Sequence, residues 1–186
     1  GALKNSVARS GVEREPALRL FTERQIVAQA DRLIAANRAE RRDLGHYYDA
    51  APEKVAIVPC GVDMGTFKPL PQDQARALLN LPAQGNILLF VGRLEPIKGV
   101  DVLLDAVAHL TCEECEGQLL IVGGDTDGEE GQRLQGIVEG LGLNRGQEFG
   151  QRVRFLGPQE QSVLPYFYAA ADVCVMPSFY ESFGMV

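Results

Sequence analysis

The sequence is poor in the residues that hold metals. It has two histidines and four cysteines in 186 residues. Cys112 and Cys115 form one Cys-x-x-Cys, but neither His46 nor His109 stands at a spacing that would complete a tetrahedral site. No metal ligand set is therefore expected. Glu113, Glu114 and Glu116 oppose thiolate formation in that pair. Four cysteines in a chain of this size are not a disulfide framework. Reduced, unpaired cysteines are expected, and with them a cytoplasmic location. Positive charge is also short: the formal net charge is −7, which gives no general field for nucleic acid. No apolar run approaches the roughly 20 residues of a membrane span. The opening Gly1-Ala-Leu-Lys-Asn-Ser6 lacks both the apolar centre of a signal peptide and an initiator Met, as a fragment or a processed chain would. Internal repeats and low-complexity tracts are missing too. What remains, at 46% hydrophobic and 23% charged, is an ordinary globular composition, enough for one domain and a flanking segment.

The apolar pattern then sets the elements. Helical spacing runs from Glu13 to about Ala30 through Leu18, Phe21 and Ile26. Leu33-Ile-Ala-Ala36 reads as a short strand. Asn37, with Glu40 three residues on, predicts a capped helix to about Tyr48. Val55-Ala-Ile-Val58 is a second strand and 73–79 a helix. Ile87-Leu-Leu-Phe-Val91 is a continuous apolar run, as expected of a strand buried on both faces. Leu119-Leu-Ile-Val122, Val153-Arg-Phe-Leu156 and Val173-Cys-Val-Met176 repeat that signal, with helices expected over 100–110, 132–141 and 162–170 between them. Strand and helix alternating in this way predict a doubly wound parallel α/β sheet. Right-handed crossovers would line up the loops after Val91, Val122, Phe155 and Met176 on one carboxyl edge, where such sheets bind ligands.

The most informative of those loops is Gly92-Arg-Leu-Glu-Pro-Ile-Lys-Gly99. Two glycines allow close approach to backbone. Arg93 supplies a planar fork of donors and Lys98 a point charge. This is neither a P-loop nor Gly-x-Gly-x-x-Gly. From the residues alone it fits an anion site and also a plain pair of surface cations.

Five stretches follow one another in order: Phe90-Val-Gly-Arg-Leu-Glu-Pro-Ile-Lys-Gly99, Ile121-Val-Gly-Gly124, Val153-Arg-Phe-Leu-Gly157, Ala169-Ala-Ala-Asp-Val173 and Pro177-Ser-Phe-Tyr-Glu-Ser-Phe-Gly184. In these the chain resembles glycosyltransferase family 4, retaining enzymes of the GT-B fold built from two Rossmann-like domains. The resemblance extends over nearly the whole chain, from about Glu23. Its flavour is nearest to sucrose-phosphate-synthase-like and mycothiol-pathway members. It implies three parts: residues 1–58 as the tail of an N-terminal acceptor domain, 59–85 as connector and helix, and 86–186 as an incomplete C-terminal donor domain.

The resemblance also implies roles. Arg93 and Lys98 match the cations on the donor diphosphate, with Gly92 beside them, and Glu181 matches the first Glu of a Glu-x7-Glu motif near the donor sugar. These three charged residues are the catalytic candidates. The backbone of Arg154 would meet the nucleobase. The main chain of Ser182, Phe183, Gly184, Met185 and Val186 would meet sugar hydroxyls and phosphate. Gly61 would stand at the cleft, with Asp63 and Phe67 bordering it, although Asp63 is equally suited to fixing its own turn. The implied partners are a nucleotide-diphospho-sugar, a UDP-sugar first, and an acceptor hydroxyl that the sequence does not identify. No cofactor or metal is implied, and membrane contact only through the acceptor domain. The chain ends before the second Glu of that motif, so little transfer is expected from it alone. The alternatives are a nucleotide-sugar-binding module without activity and a phosphorylase-like relative, which would need a cofactor-binding lysine further on.

Overall fold

The structure, a computed structural model, describes residues 2, 5, 14–110, 117–144, 152–181 and 184. The chain divides into two compact units, residues 1–62 with 179–185 and residues 63–178. Within the expected connector and helix, 59–85, residues 63–85 group with the larger unit.

The smaller unit is built on a two-stranded parallel sheet. Strands β1 (Leu33–Ala35) and β2 (Val55–Ile57) pair with Leu33 opposite Val55. Helix α1 (Ala17–Gln29) and helix α2 (Arg38–Tyr48) contribute to this unit, and Val27, Ala35, Ala50 and Val55 form its core. The predicted cap of α2 is present with one change. The Glu40 N–H donates to Asn37 Oδ1 at 2.8 Å, while Glu40 Oε2 accepts from the Ala36 N–H at 2.6 Å, one residue earlier than in the standard box. Asp49, at φ 56°, ends the helix in the left-handed conformation.

The larger unit is a four-stranded, fully parallel sheet in the order β5-β4-β3-β6. Its strands are β3 (Asn86–Val91), β4 (Gly117–Val122), β5 (Val153–Gly157) and β6 (Val173–Cys174). Alternate side chains sort to its two faces. Phe90, Leu119, Ile121 and Val153 join α4 (Val100–His109) and α5 (Glu129–Gly140) in one core. Ile87, Leu89, Leu120 and Val122 join α3 (Gln72–Leu78) and α6 (Leu164–Ala170) in the other. A sheet covered on both faces needs strands without polar alternation, and that is why β3 and β4 read as unbroken apolar runs.

Strand β6 is shorter than the predicted four residues. Among the described residues it pairs with β3 alone, through Val173 opposite Leu88 and Cys174 opposite Leu89. One more backbone bond, from the Val175 N–H to the Leu89 carbonyl at 2.8 Å, continues the ladder. Pro177, two residues on, has no N–H to extend it. Helix α5 starts three residues earlier than expected, at Glu129, because the acidic pair Glu129 and Glu130 suits a helix N-terminus.

Candidate functional site

The order β5-β4-β3-β6 contains a reversal. From β3 the chain steps outward to β4 and β5, then returns to lay β6 against the other side of β3. The loops leaving β3 and β6 therefore diverge, and a crevice at their carboxyl ends is where open α/β sheets take ligands. The 92–99 loop stands at that point.

Its conformation follows from its own residues. Leu94 and Ile97, 9% and 4% exposed, are buried beneath it. Arg93 and Glu95, on either side of buried Leu94, meet on the outward side of the loop. Pro96 opens a 3-10 turn, Pro96–Lys98, in which the Lys98 N–H donates to the Glu95 carbonyl at 2.8 Å. Gly99, at φ 66°, then switches the chain directly into α4. The Arg93 side chain is 74% exposed, and its Nη1 lies 2.6 Å from Glu95 Oε1. Lys98 is half-buried.

Glycines hold this loop against its neighbours. The Gly92 N–H donates to the Val122 carbonyl at 2.9 Å, and the Gly123 N–H donates to the Gly157 carbonyl at 2.7 Å. Three loop starts are thereby laced together along the carboxyl edge. A Cβ on Gly123 would lie 2.5 Å from the Gly92 oxygen, and one on Gly124 would lie 2.6 Å from the Leu94 nitrogen. Both glycines have positive φ, 98° and 66°. A register shift where Gly157, rather than Leu156, faces Val122 brings the end of β5 into the same lacing.

The other candidates are placed as follows. Arg154 sits within β5, level with Leu120 and half-buried, with β4 between its strand and β3. Gly61, Glu181 and Gly184 fall in the smaller unit, and Gly61, Glu181 and Gly184 are exposed. Ser182, Phe183, Met185 and Val186 lie outside the described residues, as do Cys112 and Cys115. Asp63 fixes its own turn. Its Oδ1 accepts from the Gly65 N–H at 2.9 Å and its Oδ2 from the Thr66 hydroxyl at 2.7 Å. The Thr66 hydroxyl, then the Gly65 N–H, hold its carboxyl below the usual range. Phe67 packs against Tyr168 with ring centroids 6.3 Å apart. Among the described residues no group of three or more His, Cys, Asp or Glu is placed to hold a metal ion. Nor is any described helix long and apolar enough to cross a membrane.

Two residues that the sequence reading passed over shape this unit. Glu95 is the ion partner of Arg93. Arg76, on α3, is 4% exposed although charged. It is structural, at the opposite edge of the sheet, where it meets Asp172. The signal that could have found it is Asp172 itself, a carboxylate placed between two apolar segments, Ala169-Ala-Ala171 and Val173-Cys-Val175.

A fully parallel sheet with helices on both faces and a reversal in strand order defines a class, the Rossmann-like α/β proteins. Two family models match, Glycosyl transferases group 1 over residues 71–186 and Glycosyltransferase Family 4 over residues 7–65. The chain belongs to the glycosyl transferases of group 1, and its larger unit has the Rossmann-like fold expected of a GT-B enzyme. It is 40% identical over 190 residues to a D-inositol 3-phosphate glycosyltransferase of Nocardioides, covering 99% of this chain and 42% of the relative. A protein of the same name from Streptomyces bingchenggensis is 41% identical over 191 residues, covering 99% and 41%. The solved sucrose-phosphate synthase of Thermosynechococcus elongatus superposes with a TM-score of 0.82 at 34% identity, covering 98% of this chain and 44% of that one. An Anabaena structure in complex with UDP and glucose shares the fold, with a TM-score of 0.76 at 23% identity over 94% and 46%. The chain thus spans less than half the length of the curated relatives it matches.

Proposed function

We propose that this chain supplies the sugar-nucleotide side of a glycosyl transfer that retains anomeric configuration. The observation that carries the reading is the 92–99 loop. It sets Arg93 and Lys98 at the switch point of a parallel sheet, on a backbone fixed by two buried side chains and a glycine seam. When a glycosyl bond to a nucleoside diphosphate breaks, negative charge grows on the departing phosphate oxygen. Cations held in place before the reaction stabilise that charge without reorganising. In this reading the Arg93 fork grips the diphosphate oxygens and Lys98 adds charge nearer the α4 N-terminus, whose dipole has the same sign. In the retaining scheme the departing phosphate also assists deprotonation of the incoming hydroxyl. Metal is not needed in such a scheme, because the two cations do its electrostatic work.

The donor base rests on the family resemblance, which puts a UDP-sugar ahead of GDP- and ADP-sugars. Relatives with different names, a D-inositol 3-phosphate glycosyltransferase and a sucrose-phosphate synthase, match the same chain at 40% and 34% identity. That supports reading this stretch as what they share, the donor side, with the acceptor chosen elsewhere. Calorimetric titration of UDP, GDP and ADP tests the assignment. Binding of one of them at micromolar to low millimolar strength is expected, and heat from none of the three would remove the reading.

A further inference from the structure

Resting on that donor-site reading, we infer that Glu95 is a built-in competitor for Arg93, an internal anion that the donor diphosphate must displace. Nothing in glycosyl transfer requires a carboxylate beside the diphosphate clamp. Yet the loop puts one there by construction. Leu94 is buried between Arg93 and Glu95, the missing side chain of Gly124 lets the loop backbone settle close, and the two flanking charges are found on one side. Pro96 restricts Glu95 to extended backbone, and Glu95 has φ −136° and ψ 144°. The outcome is an ion pair of 2.6 Å on a guanidinium that is otherwise 74% exposed.

An exposed pair of this kind is weak, and a nucleoside diphosphate carries more charge in a matching bidentate geometry, so exchange favours the donor. The pair has two consequences. It keeps the Arg93 fork turned toward Glu95 when no donor is bound. It also lowers donor affinity by the strength of the contact that must be broken, and so speeds release of the nucleoside diphosphate. Glu95 acts through Arg93 and is a positioning residue.

The test is a double-mutant cycle read by calorimetry with UDP as the probe, using the 186-residue chain and Glu95→Gln, Arg93→Ala and the double variant. Glu95→Gln is expected to bind UDP about threefold to fivefold more tightly, the range that loss of an exposed ion pair allows. In the Arg93→Ala background the same change is expected to do nothing. A general effect of charge or of loop packing would persist there, and equal gains in both backgrounds would overturn the inference. So would unchanged or weaker binding by Glu95→Gln where Arg93→Ala weakens it. Arg93→Ala that binds UDP as tightly as the natural chain would instead overturn the donor-site reading itself.

Discussion

The Arg76 guanidinium and the Asp172 carboxylate, 96 positions apart in sequence, meet at 2.8 Å where β3 and β6 begin. Arg76 spends its remaining donors on the carbonyls of Ala170, Ala83 and Gly85, at 3.0, 3.2 and 3.1 Å. Asp172 also accepts from the Ile87 N–H at 2.7 Å and from Gln72 at 3.1 Å. Four segments are tied through one pair: α3, the 83–85 turn, the start of β3 and the α6–β6 corner. Arg76→Met leaves a carboxylate and three carbonyls short of donors. Since the Asp172 side chain is 36% exposed, the loss is set below that of a fully buried pair, at about 2–3 kcal/mol. Urea denaturation of the variant would measure it.

The same pair predicts an acid limb. Burial opposes ionisation of Asp172, but the hydrogen bonds from Ile87 and Gln72 and the Arg76 charge outweigh it and hold the carboxyl below its usual range. A depressed folded-state value means that the unfolded chain takes up the proton first. The stabilisation is therefore complete above the unfolded value of about 4 and is lost as pH falls through the folded one. Asp172→Asn should be less stable at neutral pH, and its stability should fall less steeply below pH about 4. An equally steep fall in both proteins would show that other carboxylates govern the limb.

For the donor loop, Arg93→Ala and Lys98→Ala are each expected to weaken nucleoside diphosphate binding about tenfold or more, the worth of one charge-assisted contact. Arg93 is exposed and its removal should leave the melting temperature within about a degree or two. A calorimetric titration together with a thermal melt separates lost binding from lost fold.

Gly124 and Gly142 make a controlled comparison. Both have positive φ, 66° and 71°. At Gly142 an added methyl meets nothing within 4 Å, so Gly142→Ala costs only backbone strain, about 1 kcal/mol. At Gly124 it would strike the Leu94 backbone, which must shift. Gly124→Ala should therefore destabilise by about 2 kcal/mol more, and should weaken UDP binding as the 92–99 loop moves. Equal melting temperatures for the two variants would contradict the close packing of that seam.

Tyr168 is pushed up to about 12, first by burial and then by the nearby Cys174. A raised phenol value means the folded state keeps the proton longer. Its contribution is whole below the free-tyrosine value of about 10 and is lost as pH rises through about 12. In an ultraviolet titration of tyrosinate formation, Tyr168→Phe should remove the most alkaline step.

Most of the sheet was legible because its strands are buried on both faces. Val91, Val122 and Gly157 end their strands where apolar runs give way to glycine, and the loop after Val91 was readable by its charges. Strand β6 was overestimated because apolar residues continue to Met176 while its ladder has only one partner. Arg76 escaped notice because a charged residue in a short helix reads as solvated, and its partner lies a whole β-α-β-α-β-α circuit away. Glu95 was quoted within a motif and given no role, since alternation about Leu94 matters only once Leu94 is known to be buried.

Strand β3 has the Asp172 hydrogen bond at Ile87 and the Arg93 loop at its other end. Six strand residues at about 3.3 Å each separate the two by roughly 20 Å. Free-energy changes at positions so far apart without shared partners add. Exchanges of the exposed Arg93 and its partner Glu95 should therefore leave the Arg76–Asp172 contribution to stability unaltered. The outward Arg93 and Glu95 can thus vary apart from the Arg76–Asp172 tie, while Leu94 and Ile97 beneath them stay buried in the core.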